Sequence, residues 1–437
     1  RTLQLSASGN ATADRLTFSF GQLLTGELLQ ASKAPLRAVV ALGAEVKPLP
    51  EQGILITGAW PQLRLDDWLG VWRSRSNDSS ATTSSLPIQV KALRFGQLQA
   101  WGRVLSNVSL AAKPQAEHWS VDVDSQELTG RVLWGNHRLQ ADVDKLWLPF
   151  PLENKPAASG GATAKAMDDP LQWPAVSIKV ADLRYKKMQL GALELDTQPQ
   201  QQEMEVRQLR LSNADGEFSL AGSWGLRDGM ARTQGKVSIS SPNTGKLLAR
   251  FAHPEAMAGA PLQLTGTASW QGAPWSPDLA SLQGKFNLDV GAGHFLQLNP
   301  GAGRFLSVLN LQAIPRRLKL DFDDIFSQGF AFDRITGNAL MEKGIVRTHN
   351  LLIDGPAAKV RFKGDANFVA GTQNLNVKIV PALGDTVAMG VAIINPLAGL
   401  ATFAAQRALG QDPMGELLAF EYQIDGAMSD PQVRKVR

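Results

Sequence analysis

Residues able to do chemistry are thinly spread in this 437-residue chain. Five histidines, His118, His137, His253, His294 and His349, stand too far apart for a metal site, and no His-Glu-x-x-His motif pairs them. Gly291-Ala292-Gly293 and Gly301-Ala302-Gly303 begin like dinucleotide-binding turns but lack the third glycine and a βαβ setting, so they read as turn glycines. Thr244-Gly245-Lys246 is followed by Leu247, where a P-loop carries Ser or Thr. Asp321, Asp323 and Asp324 lack the spaced ligands, glycine and closing Glu of a calcium loop, and read as a wet strand edge. No Gly-x-Ser-x-Gly elbow occurs. The lack of cysteine removes disulfides, thiolate catalysis and cysteine-bound metal. The sequence therefore offers no catalytic group, metal site or cofactor site, and reads as a non-enzyme.

An apolar content of 44% and a charged content of 19% fit a folded protein with a core. The net charge of +4 is spread along the chain. Without a basic patch and aromatic platforms, nucleic acid is not a partner. The 11 tryptophans admit a carbohydrate-active β-protein. Three of them, Trp101, Trp134 and Trp224, stand next to glycine, however, and no carboxylate pair stands out.

The elements that must carry any function are strands. Phe286, Leu288 and Val290 alternate with Lys285, Asn287 and Asp289; Leu318, Leu320 and Phe322 alternate with Lys319 and Asp321; Leu375, Val377 and Ile379 alternate with Asn376 and Lys378. Such runs have one apolar and one wet face, as in antiparallel sheets. Ala214-Asp215-Gly216 and Asp354-Gly355-Pro356 read as turns. Leu93-Arg94-Phe95 recurs as Leu183-Arg184-Tyr185 after 90 residues, and Leu128-Thr129-Gly130 with Trp134-Gly135 recurs as Leu220-Ala221-Gly222 with Trp224-Gly225 after 92. Shorter echoes are Ile56-Thr57-Gly58 with Trp60 and Leu264-Thr265-Gly266 with Trp270. Repetition of this kind suggests an array of similar meanders.

The organisation read from the chain is as follows. Residues 1–72 form an N-terminal β segment with a short helix at Leu65 to Trp72. A Ser/Thr/Asn-rich loop at 73–86 precedes a β repeat at 87–152. An Ala/Gly/Lys-rich loop at 153–170 precedes a second repeat at 171–299, with a short helix at 243–251 after Pro242. Residues 300–437 form a C-terminal β region with helices near 300–312 and 385–410.

The last helical region contains the uncharged stretch Thr386 to Ala405. Its length would cross a bilayer core of roughly 30 Å. Asn395 followed by Pro396 instead predicts a helix cap and restart, hence two short helices. Their candidate membrane-contact or plug residues are Val387, Met389, Val391, Ile393, Ile394, Pro396, Leu397, Leu400 and Phe403. Core plug, surface helix and membrane span all remain open at this point.

About two dozen strands at roughly 4.8 Å apiece would make a sheet on the order of 100 Å long. Few helices are available to cover it. Either it folds into closed sandwiches, or it leaves an open apolar trough, which would demand an apolar ligand. The candidate ligand-facing residues are Phe218, Leu220, Phe286, Leu288, Val290, Leu318, Leu320, Phe322, Val360, Phe362, Leu375, Val377 and Ile379.

Several blocks carry a family resemblance: Pro300-Gly301-Ala302-Gly303-Arg304-Phe305-Leu306, Leu311 to Leu318, Phe326 to Asp333, Ile353-Asp354-Gly355-Pro356, Val380 to Asp385, Asn395 to Thr402, and Phe420-Glu421-Tyr422. They resemble the C-terminal part of the YhdP family in the AsmA-like superfamily, densely from about Leu262 onward. The resemblance implies a long, curled and twisted antiparallel sheet forming an open apolar groove, with a few short helices, especially at the C-terminus. It implies phospholipid transport between the inner and outer membranes of a Gram-negative envelope, as in bridge-like lipid transfer proteins. It places the protein in the periplasm, held to the inner membrane by an N-terminal anchor, with the C-terminal end nearest the outer membrane. That anchor is missing from this sequence, which therefore reads as part of a longer chain. A non-enzymatic scaffold or assembly factor for outer-membrane components, with envelope protein partners, is the alternative.

Overall fold

A computed structural model of the chain describes residues 2–10, 13–31, 34–43, 47–64, 87–100, 103–115, 117–148, 169–251, 257–296, 330–381 and 419–436. The helices expected at 65–72, 300–312 and 385–410, the loop at 73–86 and most of the loop at 153–170 lie outside these residues. The described part is mainly β, and 23 of its strands run in long open ladders. The chain divides into two compact units: Arg1–Met167 with Gln172–Pro199, and Asp168–Leu171 with Gln200–Arg437.

The first unit contains β1 (Leu3–Gly9), β2 (Ala13–Phe20), β3 (Leu24–Ala31), β4 (Arg37–Leu42), β5 (Gly53–Arg64) and β6 (Ile88–Ala100). It continues with β7 (Arg103–Gln115), β8 (His118–Asp124), β9 (Leu128–Gly135), β10 (Arg138–Leu148), β11 (Ala175–Tyr185) and β12 (Met188–Pro199). Each strand pairs with the next in sequence. Most pairs are antiparallel, as the alternation predicts, but β4–β5, β5–β6 and β10–β11 are parallel. Period two is the same in both kinds of sheet, so alternation does not reveal these steps. A parallel step needs a crossover rather than a hairpin. Residues 65–87 and 149–174 supply two such connections.

The second unit contains β13 (Glu203–Asn213), β14 (Gly216–Arg227), β15 (Met230–Ser241), α1 (Thr244–Arg250), β16 (Met257–Gly259), β17 (Leu262–Gln271), β18 (Gln283–Val290) and β19 (Gly293–Phe295). Then come β20 (Phe330–Phe332), β21 (Arg334–Glu342), β22 (Ile345–Asp354), β23 (Ala358–Asn367), β24 (Thr372–Pro381), β25 (Phe420–Ala427) and β26 (Asp430–Lys435). Its long ladder is antiparallel throughout and omits β16, β19 and β20, which form a small sheet of their own.

The Thr-Gly-Lys stretch opens α1. Asn243 caps it, its side-chain oxygen accepting from the Lys246 N–H at 3.1 Å. The Thr244 hydroxyl donates to the Ala260 carbonyl at 2.6 Å, and Arg250 pairs with Asp215 in the β13–β14 turn. A Cβ on Gly245 would run into the Met257 carbonyl, so this glycine seats α1 against β16.

The sequence repeats have a structural counterpart. Leu93 lies on β6 and Leu183 on β11, and each of these strands follows a parallel step. Both residues sit at an interruption of the register, after Val90 and Val180 respectively. The Leu-x-Gly elements fall on β9 and β14, three strands further along in each case.

Glycines sit where the ladder is crowded. A Cβ on Gly266 would collide with the Lys285 carbonyl and lie 2.8 Å from the Phe286 ring, and a Cβ on Gly284 would lie 2.8 Å from the other side of that ring. The Phe286 ring therefore lies low over two residues that have no side chain. Gly266→Val should destabilise the chain by about 1–3 kcal/mol through overpacking. Thr265→Val, on the opposite face, should change little. Urea unfolding monitored by circular dichroism separates the two.

Candidate functional site

The register puts one kind of residue in each cross-strand row. In the first unit one row reads Leu5, Phe18, Gly26, Val40, Ile56, Val90, Ala112, Val121, Val132, Ala141, Ile178, Leu195 from β1 to β12. The neighbouring row reads Leu3, Phe20, Leu24, Leu42, Gly58, Leu93, Leu110, Val123, Gly130, Val143, Val180, Leu193. Neither row contains a polar side chain. At about 4.8 Å per strand, twelve strands carry these rows over roughly 50 Å, against about 15 Å for one leaflet of a bilayer core.

Most of these side chains are only half-buried, and Leu3 and Leu5 on β1 are 57% and 62% exposed. The parallel strands β4 and β5 are also apolar on their second face, where Val39, Ala41 and Leu55 are buried, as parallel strands usually are.

In the second unit one row runs Leu209, Leu220, Val237, Gly266, Phe286, Ala339. The next runs Leu211, Phe218, Ile239, Leu264, Leu288, Gly337; it then resumes as Leu351, Phe362, Val377, Tyr422. Of the residues chosen from sequence, Phe218, Leu220, Phe286, Leu288, Val290, Val360, Phe362, Leu375, Val377 and Ile379 all fall on this face. Leu318, Leu320 and Phe322, and the helix residues Val387, Met389, Val391, Ile393, Ile394, Pro396, Leu397, Leu400 and Phe403, lie outside the described residues.

Burial divides this set. Phe218, Phe286 and Leu288 are half-buried, whereas Val360, Phe362, Val377 and Ile379 are almost wholly enclosed. The enclosed ones belong to a packed cluster with Ile335, Ile353, Tyr422 and Ile424. The small sheet adds Met257, Phe295, Phe330 and Phe332 to that cluster, and Leu248 of α1 packs against it. Here the apolar face has a protein lid. Burial also pushes the Tyr422 phenol above its ordinary pKa.

The opposite face is wet and tied by ion pairs. Asp122–Arg131 and Arg347–Asp365 stand directly across from each other, at 2.6 and 2.7 Å. Arg334 grips Asp289 with two bonds of 2.6 and 2.8 Å. That hydrogen bonding holds the Asp289 carboxyl below its ordinary pKa. The pair therefore supports the fold at neutral pH, and its contribution fades only as acid brings the pH down through the depressed value. Such exposed pairs fix register and solubility more than they add stability. Among the described residues, no three His, Asp or Glu side chains gather as a metal site, and no helix is long and apolar enough to cross a membrane.

A family model described as "YhdP protein" matches residues 1–433. The chain belongs to the YhdP family. It is 25% identical over 409 residues to the "Intermembrane phospholipid transporter YhdP" of Escherichia coli (strain K12), a match covering 92% of this chain and 32% of that protein. The chain thus spans about a third of the length of this YhdP relative. No solved structure matches it.

Within this YhdP-family chain, the sequence did not single out the apolar rows of the first unit or the lid of the second. The lid strands are three residues each, too short for any periodicity. The first-unit strands are broken by bulges. Val90 and Leu93, or Val180 and Leu183, share a face although three residues apart, which looks like lost alternation in a linear reading.

Two substitutions distinguish packed from open face. Phe362→Ala should cost about 3–5 kcal/mol of stability, as deletion of an enclosed aromatic does. Leu5→Ala should stay within about 0.5 kcal/mol of the parent. Paired thermal and urea melts measure both.

Proposed function

We propose that this chain is a non-enzymatic segment of a phospholipid conduit, carrying acyl chains along its apolar face while headgroups stay wet. The observation that carries this reading is the pair of first-unit rows, each twelve strands long without a polar side chain. Moving a phospholipid through water exposes its methylenes at about 0.8 kcal/mol each, on the order of 20 kcal/mol in total. A half-open apolar face removes most of that barrier without any catalytic group. The relative's name, an intermembrane phospholipid transporter, supports the same cargo.

In this reading the thirteen residues from Phe218 to Ile379 named above line the groove or the packed wall beside it. Residues Val387 to Phe403 meet a membrane or plug the groove. The longer protein is held at the inner membrane, spans the periplasm and delivers lipid towards the outer membrane. The repeats at 87–152 and 171–299 then each supply a length of apolar face.

The test is a photo-crosslinking residue placed at Val123, on the apolar face, and separately at Asp122, on the wet face. Lipid adducts are expected at 123 and not at 122 when extracts are read by mass spectrometry. Adducts at neither position, with lipid-free purified protein, would sink the reading. Val123→Asp should lower lipid recovered with the chain at least severalfold while leaving the melting temperature within a few degrees, because Val123 is only half-buried.

A further inference from the structure

The apolar face of the first unit has two long edges, where its strands begin and end, and burial tells them apart. Along β7 the residues on this face are Pro114, Ala112, Leu110 and Val108. Pro114 is exposed at one end, and Val108 is 1% exposed at the other. Val108 stands across from Phe95, which is 3% exposed. With Leu98 they form a packed cluster, and Trp60, Leu63 and Leu105 lie against it. That side of the face is closed by the chain's own side chains.

The other side is open and aromatic. The row beyond Val121 and Val132 reads Pro114, Trp119, Trp134, Leu139, Val176 from β7 to β11. Trp119 and Trp134 are direct cross-strand partners, 38% and 63% exposed. Just past them the strands end in two turns. There the Asn136 side-chain amide donates to the Glu117 carboxylate, and His137 and Arg138 are exposed. Aliphatic rows, a pair of indoles and a polar collar thus follow one another along the same strands. A bilayer leaflet has that order too, with Trp enriched where hydrocarbon gives way to headgroups, because an indole is apolar with a single N–H donor. The depth also agrees. The stretch from Pro114 to Val108 spans roughly 20 Å at about 3.3 Å per residue, against about 15 Å for the acyl chains of one leaflet.

We infer that the Trp119–Trp134 edge is the mouth of the first unit's groove, an assignment of sidedness that rests on the conduit reading above. A diacyl phospholipid enters there with its chains directed along the strands, towards the side closed by Phe95 and Val108. The two indoles lie against its glycerol-ester layer and offer their N–H groups to the ester oxygens. Arg138, in the collar, supplies the positive charge that a lipid phosphate pairs with.

The chain has no cysteine of its own, so a single one can be introduced and labelled with bimane. Trp134→Cys puts the label at the mouth, and Leu128→Cys puts it on the same face of β9 towards the closed side. Leu146→Cys, opposite Leu128 on β10, takes its place should Leu128→Cys fail to fold. The labelled full chain is loaded from vesicles of phosphatidylethanolamine that carries a nitroxide either beside the acyl ester or at the methyl end of the chain. Bimane quenching and retained lipid are both measured. The ester-side nitroxide should quench the label at 134 at least about twofold more than the methyl-end one, with the order reversed at 128, because roughly 20 Å of strand separates the two positions. The opposite order at both positions overturns the inference and puts the mouth on the other edge. Equal quenching by the two lipids also overturns it. So does quenching at 128 with none at 134, which would assign the indoles to a covering protein segment. Each of these results leaves the conduit standing. A chain that retains no lipid overturns the inference and the conduit together.

Discussion

In a pleated sheet every second side chain points to the same face, and a slip of one residue sends a strand's whole apolar set to the wet side. The ladders of this protein hold that step through every described pairing. Where a strand carries two inward residues three apart, as at Val206 and Leu209, a bulge absorbs the odd residue and the apolar row continues. The ion pairs across the wet face work to the same end. Asp122 with Arg131, and Arg347 with Asp365, would be separated by any slip. The segregation of the two faces thus depends on register, and register is guarded from both sides.

The two units treat the same kind of face differently. In the first, the rows are long, half-buried and open. In the second, α1 and a three-stranded sheet close part of the face over Val360, Phe362, Val377 and Ile379. A burial gain of about 1.5–3 kcal/mol for each large apolar side chain makes the lidded region the better anchored one. The open rows forgo that gain, leaving apolar surface free to meet another apolar surface.

The mainly β character was legible because alternation at Lys285 to Val290 and at Leu375 to Ile379 is unbroken. The helix after Pro242 was legible because Asn243 is a good cap with helix formers behind it. Parallel steps were not, since alternation carries no strand direction. The continuity of the rows was not legible either: it is a property of neighbours such as Val123 and Gly130, or Val143 and Val180, which one chain read linearly does not pair. Phe295 and Phe332, whose rings meet at 5.0 Å in the lid, come from strands separated by more than thirty residues and look isolated in sequence. The family resemblance filled part of that gap, because the rows are the physical form of what it implied.

Two rows of apolar residues with no polar interruption would have a kinetic consequence under the conduit reading proposed above. A hydrocarbon tail moving over them would meet no polar step at any strand. Such a surface would have no ratchet to favour one heading. Drift along it would follow whatever is imposed at its two ends, and its throughput would be set by friction against apolar side chains and not by the release of a tightly held ligand.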